Sequence, residues 1–83
     1  MNASEIELIQ EARVALRSGD AVAFREARAL TIPELAVQID VAASTLWRWE
    51  QGLSTPKGAR AVRYAKALRR LRRQIHEETR ISA

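Results

Sequence analysis

Only three residues, Asp40-Val41-Ala42, separate two short stretches of helical periodicity. On the N-terminal side, Thr31 and Glu34 stand three apart, just ahead of Leu35, Ala36 and Ile39. This is a capping box followed by one apolar face, and Pro33 falls in the first turn, where its missing N–H costs nothing. On the other side a helix is predicted over residues 43–51, with Leu46 and Trp49 inward and Gly52 as a left-handed C-terminal cap. Three linking residues allow only a tight turn, so the two helices must pack closely on one another.

The rest of the chain also reads as helix, because no run of alternating β-branched or aromatic residues suggests a strand. A first helix is expected over residues 4–17, capped by Ser4 with Glu7, its stripe formed by Ile6, Ile9, Ala12 and Leu16. Asp20 is expected to cap a second helix, residues 21–29, that buries Val22, Phe24 and Ala27. After a loop from Leu53 to Gly58, a long helix over 59–77 carries Val62, Ala65, Leu68, Leu71 and Ile75 on one stripe. Ile81-Ser82-Ala83 is expected to fray. Eighty-three residues suffice for a single domain, 1–83, with a core over 20–68.

Charge is distributed unevenly. Residues 1–56 hold five arginines against eight acids, a net −3, whereas residues 57–83 hold nine bases against two acids, a net +7. A basic C-terminal third points to a polyanionic partner, or to a solvated helix that keeps a small domain soluble. With no cysteine there is no disulfide frame, thiolate metal site or cysteine nucleophile. The single histidine, His76, sits among charged residues late in the chain, and a lone histidine makes no metal site. No uncharged stretch is apolar and long enough for a membrane span, and the acidic start is unlike a signal peptide. No acid–base pair or glycine-rich phosphate loop is present, so neither an enzyme nor a cofactor is expected.

Two short helices joined by a three-residue turn are the geometry of a helix-turn-helix. The stretches Phe24-Arg25-Glu26-Ala27-Arg28-Ala29-Leu30-Thr31, Pro33-Glu34-Leu35-Ala36, Ile39-Asp40-Val41 and Ser44-Thr45-Leu46-Trp47-Arg48-Trp49-Glu50-Gln51-Gly52 carry more. Together they resemble the Cro and phage-repressor type of helix-turn-helix domain, without a gap over about thirty residues. A weaker match continues to Tyr64-Ala65-Lys66-Ala67-Leu68. The resemblance implies an all-α fold: a compact helix-turn-helix bundle of about five helices. Here it would carry an added N-terminal helix and a long basic C-terminal helix.

The resemblance also implies roles. Residues 43–51 would form the recognition helix, with Ala43, Ser44 and Arg48 at base-contacting positions and Thr45 and Trp47 beside them. Arg48 suits the O6 and N7 atoms of guanine, or else a phosphate. Trp47 could cover a thymine methyl, or pack on Arg48 or the long helix. Thr31, Lys57, Arg60 and Arg63 are the candidate phosphate contacts, with Lys57 next to the amides at Gly58. The family pattern pairs Arg25 with Glu50 across the core as a structural ion pair.

Four features depart from the pattern. Ile32 stands where a phosphate-binding Gln is usual, Asp40 replaces the turn glycine, and Ala42 replaces a Ser or Thr cap. The fourth is the basic helix, which runs on where the family has a short terminal helix that often helps make a dimer. Arg60, Arg63, Lys66, Arg70 and Arg73 fall at three- and four-residue steps on it. The expected function is sequence-specific binding of double-stranded DNA by a phage Cro or small repressor, in the cytoplasm at the nucleoid. A homodimer is a possible assembly. An antitoxin with a toxin partner, and the DNA-binding fragment of a longer immunity repressor, remain the alternatives.

Overall fold

In the computed structural model, which describes residues 1–82, the capping boxes and left-handed turns set where each helix begins and ends. Five helices follow in order: α1 (Ala3–Ser18), α2 (Asp20–Ala27), α3 (Ile32–Ile39), α4 (Ala43–Gln51) and α5 (Gly58–Ser82). No strand occurs among the described residues. Thr31 caps α3 through both halves of its box: the Glu34 N–H donates to Thr31 Oγ1 at 3.2 Å, and the Thr31 N–H donates to Glu34 Oε1 at 2.8 Å.

Three successive helices end in the same way. In each, one backbone N–H reaches back three residues and the next reaches back five, around a residue in the left-handed region. These residues are Ala29 (φ 54°), Asp40 (φ 56°) and Gly52 (φ 74°). The longer bonds run from Leu30, Val41 and Leu53 to the carbonyls of Arg25, Ala36 and Arg48. Asp tolerates this conformation better than most residues and glycine adopts it freely, but alanine does so at a cost.

The core forms where α5 crosses the others. α5 packs on α1, α2 and α3, while α4 packs on α3. Leu35, Ile39, Leu46 and Tyr64 are fully buried, and Trp49 lies against Tyr64 with ring centroids 5.2 Å apart at 38°. Twenty-five residues of α-helix span about 37 Å, close to the 39 Å long axis of the molecule. α5 therefore sets the shape of the protein.

Several local expectations are corrected. α1 begins at Ala3, one residue early, because Asn2, not Ser4, closes a capping box, with Glu5. Its buried face is Leu8, Ile9 and Ala12, whereas Ile6 is exposed. Gly19, not Asp20, precedes α2 in the cap position; Asp20 is its first residue, and no side chain caps the helix. α2 ends at Ala27, which is exposed, because the left-handed turn at Ala29 stops it; Ala21 is the residue it buries fully. α5 is longer than expected at both ends, and Ala61, Tyr64 and Ala67 join Val62, Ala65, Leu68 and Leu71 in the core. Three partner helices surround it, so its buried face is wider than one stripe. Ile81 and Ser82 fall within α5, and Ala83 lies outside the described residues.

Candidate nucleic-acid interface

α4 is fixed from behind and open in front. Leu46 and Trp49 bury its inner side. Glu50 then locks its last turn to α2: Arg25 Nε donates to Glu50 Oε2 at 2.7 Å and Arg25 Nη2 donates to Oε1 at 2.9 Å. Arg25 Nη1 donates to the Leu30 carbonyl at 2.8 Å. One guanidinium thus joins α2, the turn before α3, and α4. Its side chain is 12% exposed and that of Glu50 is 3% exposed, so each charge depends on the other. Hydrogen bonding to Glu50 is the main cause that raises the Arg25 pKa.

The front of α4 presents Ser44, Trp47, Arg48 and Gln51 to solvent, with Trp47 47% exposed. Ala43 and Thr45 are half-buried at its edge. Ala42 provides no side-chain cap, so the first-turn amides of α4 lack a side-chain acceptor from the cap position. Four of the five candidate reading residues therefore belong to the first five residues of one helix, and Arg48 follows Trp47 on the same outward side.

Beside α4 lies a groove of about 370 Å³, lined by Thr45, Trp49, Ser54, Thr55, Lys57 and Arg60. It brings two of the candidate phosphate contacts, Lys57 and Arg60, next to α4. Ser54 and Thr55, which the sequence reading missed, add two hydroxyls able to donate to an anion. Their position directly before Pro56, Lys57 and the start of α5 was the available signal.

The other two phosphate candidates are placed differently. Thr31 accepts the Glu34 N–H in the capping box, and its own O–H remains a donor. The bonds from Thr31 hold the Glu34 carboxyl below the ordinary carboxylate range, which leaves a negative charge beside it. Arg63 turns away toward the end of α3, where Nε donates to the Ile39 carbonyl at 2.7 Å and Nη2 to the Asp40 carbonyl at 3.2 Å. A cation there satisfies helix-terminal carbonyls and the negative end of the dipole.

The far end of α5 is braced to the protein as well. Arg69 pairs with Glu11 through two hydrogen bonds, Nε to Oε1 being 2.9 Å, and Arg70 Nη2 donates to Gln38 Oε1 at 3.0 Å. Glu78 pairs with Arg28. Part of the +7 charge of this region thus serves as internal struts, while Lys66, Arg72 and Arg73 are exposed.

No group of histidine, cysteine or carboxylate side chains among the described residues could hold a metal, and no helix is long and apolar enough to cross a membrane. No curated protein and no solved structure matches the chain. A family profile described as a helix-turn-helix domain, however, matches residues 23–77, which include α3, α4, their turn and most of α5. With two short helices joined by a tight turn over that same stretch, the chain belongs to the helix-turn-helix domain family, whose members point to DNA binding and transcription regulation.

Proposed function

We propose that this protein is a sequence-specific transcriptional regulator of the phage Cro or small-repressor kind, occupying an operator in double-stranded DNA. The observation that carries this reading is the two-sided anchoring of α4. Leu46, Trp49 and Glu50 fix its back, while Ser44, Trp47 and Arg48 stand free beside a groove carrying Lys57 and Arg60. A helix so held keeps its outward side chains at fixed spacing, which reading base edges in a major groove requires. Arg48 reads a guanine. Ala43, Ser44, Thr45 and Trp47 make the smaller polar and apolar contacts around it.

Lys57 and Arg60 hold the backbone with Ser54 and Thr55, Thr31 adds a hydroxyl, and Arg63 serves first to clamp α3. Bound DNA occludes polymerase, and no catalytic step is involved. One recognition helix buries little surface, so two copies on a palindromic site are the assembly that best suits such binding.

Salt-dependent binding to a duplex recovered by selection from a random library tests the division of roles. Lys57→Ala is expected to weaken binding to all sequences alike and to flatten the plot of log K against log salt by about one unit. An unchanged slope would remove Lys57 from the backbone contacts.

A further inference from the structure

Ser54 and Thr55 also line a second groove, of about 440 Å³, whose walls include Arg13, Arg17, Trp49 and Glu50. The two share Trp49, Ser54 and Thr55, so they adjoin one another along the loop between α4 and α5. Lys57 and Arg60 line the first and Arg17 the second.

α1 is held against this loop by a specific contact. Arg13 donates through Nε at 3.2 Å and Nη2 at 2.9 Å to the carbonyl of Pro56, itself buried. Arg17 follows four residues later, hence on the same side of α1 and one turn further along. It is exposed, and no hydrogen bond or ion pair of its side chain is seen among the described residues. Arg13 is the anchor and Arg17 the free cation beside it. α1 precedes the stretch matched by the family, residues 23–77.

We infer that Arg17 of the N-terminal helix is an additional DNA-backbone contact, which extends the phosphate track beyond the helix-turn-helix itself. The occupant is the sugar–phosphate strand that leaves the groove edge at Ser54 and Thr55. The exposed Arg17 guanidinium and the adjacency of the two grooves at Ser54 and Thr55 favour it. The inference rests on the DNA-binding reading. The bland role for Arg17, a cation at the negative end of the α1 dipole, would affect stability rather than binding.

The test uses the full chain and a fluorescently labelled duplex selected from a random library, with Arg17→Gln and Arg17→Lys as variants. Binding is measured by anisotropy across a salt series, backbone protection by hydroxyl-radical footprinting, and folding by thermal melting. Arg17→Gln is expected to reduce the salt slope by about one unit, to lose protection at the outer edge of the footprint, and to keep the selected sequence and the melting temperature. Arg17→Lys should restore slope and protection. If Arg17→Gln shows the wild-type slope and footprint, Arg17 is not a backbone contact, although the DNA-binding reading stands. A lowered melting temperature with an unchanged slope would assign Arg17 to the helix dipole and overturn the inference. If the wild-type chain selects no sequence, the DNA-binding reading fails and the inference falls with it.

Discussion

Arg25→Ala is the perturbation whose cost the structure determines most closely. It removes three hydrogen bonds, two to Glu50 and one to the Leu30 carbonyl, and leaves a carboxylate that is 3% exposed without its counter-charge. Breaking one side of such a pair costs about 3–5 kcal/mol, mostly the penalty for the stranded charge. A chain of 83 residues has a total stability of about 4–12 kcal/mol. The variant would therefore lose a large share of it, with a fall in melting temperature of at least about 12 °C. Replacing both partners by leucine removes the stranded charge, so the double variant should recover to within about 2 kcal/mol of wild type. Urea unfolding of the wild type, Arg25→Ala and the double-leucine variant measures both effects. A single-variant cost below about 1 kcal/mol, or a double variant as unstable as Arg25→Ala, would refute the reasoning. The same pair sets the angle of α4, so the leucine double variant should bind DNA more weakly than its stability alone would imply.

Three further outcomes are expected. Ala29 holds a left-handed conformation and is exposed, so Ala29→Gly should stabilise the protein by about 0.5–1 kcal/mol in urea unfolding; a loss would show that the turn tolerates alanine without strain. The buried Tyr64 hydroxyl meets no hydrogen-bonding partner among the described residues, and burial pushes its pKa up. Tyr64→Phe should accordingly be neutral or stabilising by up to about 1–2 kcal/mol in thermal melting, and a loss above about 1 kcal/mol would contradict that. Glu11 and Glu34 are both held below the ordinary carboxylate range, by Arg69 and by the Thr31 box respectively. A lowered folded-state pKa contributes stability above the unfolded value, lost as pH falls through the lowered one. The urea midpoint should thus drop on acidification below about pH 4.3, and Glu11→Gln with Glu34→Gln should flatten that limb. An unaltered limb would assign the acid sensitivity elsewhere.

What was legible in the sequence was local. Thr31 with Glu34, Leu46 with Trp49, and Gly52 after Gln51 each act within one or two helical turns, and the structure carries them as read. The start of α1 was ambiguous for a physical reason: Asn2 with Glu5 and Ser4 with Glu7 offer the same box two residues apart. The buried faces of α1 and α2 were read only in part: Ile9, Ala12, Leu16 and Phe24 face the core, but Ile6 and Ala27 do not, because α5, more than thirty residues away in sequence, decides them. Separation in sequence also hid the partners of the arginines. Nothing in the spacing of Arg63, Arg69 or Arg28 indicates Ile39, Glu11 or Glu78. At the candidate interface the outward face of α4 could be read from its period. The contribution of Ser54, Thr55 and α1 could not, since only the folded loop brings them to one groove.

The central claim is that α4 reads bases and that Arg48 is its main reader. Selection from random duplexes, run in parallel on the wild type and Arg48→Ala, tests it most directly. The wild type is expected to select one sequence, and Arg48→Ala to lose preference at a single guanine position, at a cost of about 1–3 kcal/mol on the wild-type site. Retention of every base preference with uniformly weaker binding would make Arg48 a phosphate contact, and failure of the wild type to select any sequence would contradict the account.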